Sequence, residues 1–229
     1  MSKKKVVVCM PVRDSVQADT TQRLIDLLAH RCVIGRTQVT GSLIHKARNF
    51  LFETTLENFK EATHILFVDD DMVFTNSDLD KLLDSGKDII GSVAVERNIP
   101  FHPCLVPEEK DWSNMKQLWE SKKPIKVHSI GMGFTLIKVS LLEKLLKDNN
   151  QLFFFEKDSE YGEDYNFCRL VRGLGETVWV HCGSQVGHLA LLSISLHHFL
   201  FNLRNNPEAT ELREGIFGAE DTVQDSKPE

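Results

Sequence analysis

A short buried-type run, His64-Ile65-Leu66-Phe67-Val68, ends in three consecutive aspartates, Asp69-Asp70-Asp71, and nothing else in the sequence constrains the fold as tightly. An unbroken apolar run of this length suits a strand covered on both faces, as in the interior of a parallel sheet. In open α/β sheets the carboxyl end of such a strand is where ligands bind. Side chains two apart on an extended chain point the same way, so Asp69 and Asp71 are expected to converge on one object while Asp70 faces elsewhere. Adjacent like charges beside an apolar strand are costly unless a cation neutralises them. A hard divalent cation, Mn2+ or Mg2+, held by one or two carboxylates and completed by substrate phosphates, meets that need. The plainer alternative is a solvated acidic turn.

The pattern around this run predicts an α/β fold with a mostly parallel central sheet flanked by helices. Residues 6–10 form a Val-rich run, and further strands are expected at 88–95, 134–138 and 177–181. Residues 42–62 read as an amphipathic helix in which Leu43, Ala47, Phe50, Leu51 and Phe59 make the apolar stripe, with Arg48 and Lys60 off it. Asn76 or Ser77 is the expected N-cap of a helix that packs Leu79, Leu82 and Leu83 and stops at Gly86. Helices are also expected at about 140–147 and 163–172, the second ended by Gly173 or Gly175. From Glu96 to Lys126 the periodicity breaks around Pro100, Pro103, Pro107 and Pro124, which predicts a long irregular excursion with one short helix. Trp112 and Trp119 in it suit either an acceptor groove or a packed helix face. Residues 189–203 place Leu189, Leu192, Leu196, Phe199, Leu200 and Leu203 on one helical face, a surface for a membrane or for a second copy in a homodimer.

With 229 residues, 41% of them apolar, one domain is expected over 1–218, followed by an acidic, fraying tail over 219–229. The formal charge of −6 argues against a polyanion as the main partner, although Lys122, Lys123 and Lys126 form a local basic patch. No apolar stretch reaches membrane-spanning length, and Met1-Ser2-Lys3-Lys4-Lys5 leads into a strand rather than a signal-peptide core, so a cytoplasmic location is expected. The five cysteines are scattered and include no Cys-x-x-Cys pair, which disfavours a disulfide framework or a structural zinc. Cys9 and Cys168 lie in apolar patterns and read as small buried hydrophobes.

Six segments, in order, resemble the GT-A fold nucleotide-sugar glycosyltransferases, especially those of family 2. They are Val7-Val8-Cys9-Met10-Pro11-Val12-Arg13, Lys46-Ala47-Arg48-Asn49, the Asp-x-Asp of Asp69 and Asp71, the Gly-rich strand from Ile130-Gly131-Met132-Gly133-Phe134 to Lys138, Gly162-Glu163-Asp164-Tyr165-Asn166-Phe167-Cys168, and Val186-Gly187-His188. The resemblance implies a Rossmann-like single domain that transfers a hexosyl or pentosyl group from a nucleotide sugar, a uridine one in most members, to an acceptor hydroxyl. It implies donor contacts at Pro11, Arg13, Arg48, Asn49, Asp69 and Asp70, and metal ligands at Asp69, Asp71 and His188. Asp164, or Glu163 beside it, is the implied base, opposite the leaving group and therefore inverting; the dipole of the following helix favours its ionised form. The acceptor stays open among a glycan, a lipid-linked glycan, a small molecule, a protein and a modified nucleic-acid base.

Two other readings stand beside this one. Residues Ile65 to Val68, Asp69, Asp71 and Val73 also resemble the signature of haloacid-dehalogenase-type phosphatases, in which Asp69 would be a nucleophile, although Glu163-Asp164 completes their later acidic motif only in part. A non-catalytic module that binds a nucleotide sugar fits the same residues. Taken alone, Glu163 and Asp164 are ordinary first-turn helix acids, His188 suits a satisfied core histidine, and Arg48 and Arg13 suit surface charges.

Overall fold

The strand Val6–Val12 (β1) is buried along its whole length, and alternation divides its side chains between two cores. Val7 and Cys9 enter one apolar cluster and Val6, Val8, Met10 and Val12 the other. The strand His64–Val68 (β3) repeats the division, with Ile65 and Phe67 on the first side and Leu66 and Val68 on the second. Strands with two dry faces cannot alternate with polar residues, which is why both read as continuous apolar runs. Their Cys9 and, farther along the chain, Cys168 are fully buried, and burial pushes the thiols up to about 11 and about 12, as suits small core residues rather than nucleophiles.

A computed structural model describes residues 4–41, 43–97, 101–108, 112–113, 115–149 and 162–190, all but Ala190 within the unit Met1–Leu189. The expected helix at 189–203 and the boundary at 218 lie outside the described residues, Leu189 and Ala190 apart. The first core is covered by the helices Ile44–Asn58 (α2), Val139–Asn149 (α5) and Glu163–Gly173 (α6). The second is covered by Ala18–Leu28 (α1) and Asn76–Asp84 (α3), giving three layers, helix on sheet on helix. A short helix, Met115–Ser121 (α4), completes the set. No helix among the described residues is long and apolar enough to cross a membrane.

The remaining strands are Val33–Thr40 (β2), Met72–Val73 (β4), Ile89–Val93 (β5), Leu105–Pro107 (β6), Pro124–Ile130 (β7), Phe134–Lys138 (β8), Val178–Gln185 (β9) and Gly187–His188 (β10). Eight of them form one sheet in the order β2-β1-β3-β8-β5-β9-β7-β6, and β4 pairs with β10 apart from it. β2, β1 and β3 are mutually parallel, as are β5 and β9; β8 inserts antiparallel between β3 and β5, and β7 is antiparallel to both of its neighbours. Following the pairings, β8 and β7 run against the other six, so the sheet is mixed with one prevailing direction. The carboxyl ends of β1, β3, β5 and β9 and the amino end of β8 therefore share one edge of the molecule.

Three details differ from the sequence pattern. The excursion from Glu96 to Lys126 holds its one short helix but also supplies β6 and the start of β7, an antiparallel pair at the sheet edge where Pro107 and Pro124 are tolerated. Thr75, not Asn76 or Ser77, caps α3, because Asp78 folds back and its Oδ2 accepts the Thr75 N–H at 3.0 Å and hydroxyl at 2.8 Å. In α2 the buried face carries Ala47, Arg48, Asn49, Leu51, Phe52 and Thr55, while Phe50 and Leu43 are half exposed. Arg48 is thus on the core side, contrary to the stripe, because two carboxylates await it there.

Central packing is tight enough to test at two glycines. A Cβ at Gly91 in β5 would lie 2.9 Å from both Ile130 Cδ1 and Thr135 Oγ1, whereas one at Gly173 at the end of α6 meets nothing within 4 Å. Denaturant unfolding is expected to show Gly91→Ala destabilised by about 1–3 kcal/mol. The same measurement should show Gly173→Ala neutral or stabilised by about 0.5–1 kcal/mol.

Candidate active site

Backbone hydrogen bonds gather the functional segments at the shared edge. Asp69 donates its N–H to Gly133 O at 3.0 Å, which sets the loop before β8 against the end of β3. Leu189 donates to Asp71 O at 2.8 Å, and β10 pairs with β4 so that His188 stands opposite Met72. The glycines of the 131–133 loop permit this closeness. A Cβ at Gly133 would come within 3.1 Å of Met72 Sδ and 3.4 Å of Asp69 Oδ2, and one at Gly131 within 3.2 Å of Cys104 Cβ and 3.8 Å of Asp164 Oδ2. Asp69 and Asp164 therefore each lie near one glycine of the same loop.

The three aspartates do not converge in the expected way. Residues 70 and 71 lie in a turn, which ends the two-residue alternation and sends each carboxylate to a different partner. Asp69 accepts from Arg48 Nη2 with both oxygens, at 2.9 and 3.1 Å. Asp70 Oδ2 accepts the Arg13 N–H at 2.8 Å and its carbonyl accepts the Gln17 N–H, so it anchors the loop after β1; burial, ahead of its two acidic neighbours, raises its carboxyl. Asp71 faces His188 and Arg97, with Oδ1 3.2 Å from His188 Nε2 and Oδ2 2.6 Å from Arg97 Nη1.

Arg48 holds this edge together. Its side chain is only 3% exposed, and while Nη2 holds Asp69, Nη1 donates to Glu163 Oε1 at the start of α6. Burial alone would favour losing the proton, but Asp69, Glu163 and Asp164 outweigh it and hold the guanidinium firmly charged. Its Nε is buried without a hydrogen-bond partner. Arg48 is thus a buried bridge between acids through its two terminal nitrogens, and it is not a surface charge. Pro11 lies buried at the end of β1 in register with Val39, Arg13 is exposed beside Asp70, and Asn49 is buried in α2.

Asp71 and His188 form an ion pair, and the same carboxylate and imidazole are of the kind that hold a divalent cation once Nε2 gives up its proton. His188 Nδ1 lies 3.0 Å from Val95 O, so it must carry the proton and donate it, which leaves Nε2 to face Asp71. Two ligands at right angles on a small octahedral cation, each about 2.1 Å from it, are about 3.0 Å apart. The 3.2 Å between Asp71 Oδ1 and His188 Nε2 is the distance of a hydrogen-bonded ion pair and is also close to that spacing. Among the described residues no three His, Cys, Asp or Glu side chains gather to hold a metal unaided, so this pair needs ligand oxygens from elsewhere. Asp69, committed to Arg48, stands apart from it. Hydrogen bonds to Asp71 and to Cys104 raise the His188 ring to about 10. Burial raises Asp71, but His188 and Arg97 outweigh burial and hold it below the ordinary carboxylate range.

Asp164 has the opposite environment. Burial first, then Glu163, raise its carboxyl, and the Arg48 charge and the Tyr165 N–H, which donates to Oδ1 at 2.8 Å, do not cancel them. The helix dipole expected to favour the ionised form is therefore outweighed. Glu163 is occupied by Arg48. Trp119 packs on the first core and Trp112 is exposed. Two residues near the metal-type pair had no signal of their own in the sequence, Arg97 and Cys104, because both belong to the excursion after β5. A separate cavity of about 590 Å3, lined by Phe59, His64, Lys138 and Glu143 among others, opens at the other end of β3 and holds none of these residues.

No protein-family model matches the sequence, and no curated protein matches it. Solved structures share its fold. The crystal structure of A197 from STIV aligns over 82% of this chain and 86% of its own, at 18% identity and a TM-score of 0.57. The crystal structure of GalNAc-T7 with UDP, GalNAc and Mn2+ aligns over 84% of this chain at 14% identity and a TM-score of 0.51. That second match spans 45% of the GalNAc-T7 chain, so this chain covers less than half of that protein. At these identities the likeness is one of fold.

Proposed function

We propose that this chain is a metal-dependent glycosyltransferase of the GT-A type, which moves a sugar from a uridine nucleotide sugar to an acceptor hydroxyl with inversion. One observation carries the reading: a metal-type pair, Asp71 with His188, and a buried carboxyl of raised pKa, Asp164, occupy the same edge of the sheet. The fold likeness to a protein crystallised with UDP, GalNAc and Mn2+ supports it. Asp71 and His188 Nε2 would hold Mn2+, with donor diphosphate oxygens completing the shell, and the His188 Nδ1–H bond to Val95 O fixes the ring that does so. When bound, the metal stabilises negative charge developing on the departing diphosphate.

The protein's own residues account for the rest of the reaction. Asp164, held at the start of α6, accepts the proton of the acceptor hydroxyl as that oxygen attacks the anomeric carbon. Its raised pKa brings it nearer the value at which a base is most effective. Glu163, neutralised by Arg48, positions the helix start and is the weaker candidate for the base. Asp69 is equally neutralised, and a carboxylate with both oxygens on a buried guanidinium is a poor nucleophile, so the phosphohydrolase reading gains no support from its surroundings. A purely binding module gives no reason for the environment of Asp164.

Calorimetric titration of uridine nucleotide sugars, with Mn2+ and then with chelator, tests the donor site. Asp71→Ala is expected to abolish the metal-dependent part of donor binding, and donor binding that persists unchanged in chelator would sink the metal assignment. Asp164→Asn should leave donor affinity within about threefold while transfer falls by about 10²–10⁴; retained transfer removes Asp164 from the mechanism. Because the Asp164 carboxyl lies above its ordinary 3.8, kcat/KM should rise with pH through a limb displaced upward from that value. That limb should be missing from the residual activity of Asp164→Asn.

A further inference from the structure

Arg97 has no part in the donor site as described above, yet it makes the shorter of the two contacts to Asp71. It stands on a hairpin whose base is well fixed: Cys104 donates its N–H to Ala94 O at 2.9 Å and Glu96 donates to His102 O at 2.8 Å. The same hairpin provides Val95 O, the acceptor that orients His188. With Arg97 Nη1 on Oδ2 and His188 on Oδ1, both oxygens of Asp71 are taken by groups of the chain itself. The Arg97 side chain is 45% exposed and that of Asp71 only 12%, so the arginine is the half of the pair with room to leave.

We infer that Arg97 is a resident counter-cation that competes with the metal for Asp71 and, once displaced, pairs with the diphosphate of the donor. The inference rests on the metal-dependent donor site proposed above. Asp71 cannot serve a divalent ion and a guanidinium with equal strength, because the two like charges would lie within a few ångströms of each other. The displaced guanidinium remains on a hairpin anchored beside the metal-type pair, where the strongest negative charge brought in is that of the diphosphate. A guanidinium fork matches phosphate oxygens in paired hydrogen bonds, which an ammonium group cannot reproduce.

The test compares the native chain with Arg97→Gln and Arg97→Lys, first by titration of Mn2+ alone and then by titration of UDP into the Mn2+-saturated proteins. Thermal melting checks that the variants fold. Arg97→Gln is expected to bind Mn2+ on the order of tenfold more tightly than the native chain, since the competing charge is gone. Loaded with Mn2+, it should bind UDP about tenfold more weakly. Arg97→Lys keeps the charge and should match native Mn2+ affinity, yet bind UDP several-fold more weakly, which carries the test even if the glutamine variant fails to fold. An ion pair that only braces the hairpin gives the opposite sign, because loosening Val95 and His188 would weaken Mn2+ binding. Equal or weaker Mn2+ binding by Arg97→Gln, or undiminished UDP affinity in both variants, overturns the inference and leaves the metal site standing. Mn2+ binding by neither native chain nor variant removes both.

Discussion

The candidate site depends on one buried cation. Taking a guanidinium out of water is costly, and Arg48 remains charged in the protein only because Asp69 and Glu163 meet it. Those partners lie 21 and 115 residues away along the chain, one at the end of β3 and one at the first turn of α6. The bridge therefore fixes where α6 begins relative to the strand end, and with it the position of Asp164. Without Arg48, Asp69, Glu163 and Asp164 would crowd one edge as uncompensated like charges and would hold their protons more tightly. A buried pair of this kind is weak evidence of net stability but strong evidence of registration, since removing one member leaves the others unpaired.

The remaining acids follow from the same arithmetic of charge. Once Asp69 is committed to Arg48, the chain turns at residues 70 and 71, and each later aspartate takes another task. Asp70 secures the loop after β1 through the Arg13 N–H, while Asp71 turns toward β10. The small β4–β10 pair has only two residues on each strand, too few to be stable alone, and it is held by the Leu189 N–H bond to Asp71 O. Its effect is to deliver a histidine from the far end of the described unit to an aspartate at its centre. The contact between His188 and Asp71 is thus a consequence of backbone pairing rather than of a chance meeting of side chains.

What the sequence made legible, it did through periodicity. β3 and β8 appear at the expected residues, and α6 begins at the expected Glu163, because their signals are local: unbroken apolar runs and a first-turn acidic pair after glycine. β2 gave no such signal, since as an edge strand it carries one buried residue among partly and fully exposed ones. β4 was beyond reach for a different reason, being two residues whose strand character comes entirely from a partner more than a hundred positions later. Arg48 was misplaced because a charged residue within an amphipathic pattern is ordinarily on the wet face, and only the tertiary arrangement of Asp69 and Glu163 reverses that. Asp71 is legible from the acidic strand end, whereas His188 and Asp164 stand out only through the family resemblance, because a lone histidine and a first-turn acid carry no chemical signal by themselves. Arg97 carried no motif and could be found only from its distance to Asp71.

The reversed strand β8 explains how one edge can keep two carboxylates in opposite electrostatic states. Running antiparallel between β3 and β5, it brings its preceding loop, Gly131 to Gly133, to the same edge as the carboxyl ends of those strands. Gly133 then lies near Asp69 and Gly131 near Asp164, and an added Cβ at either would be tight against Met72 or Cys104. Asp71 lies among cations, His188 and Arg97, and is held ionised. Asp164 stands in the first turn of α6 with Glu163 beside it, and burial holds its proton more tightly. Divergent environments of this kind set the two acids apart: Asp71 is held as a charge among cations, and Asp164 is the one nearer to exchanging a proton. The same strand order that gathers the acids at one edge thereby keeps them from behaving alike.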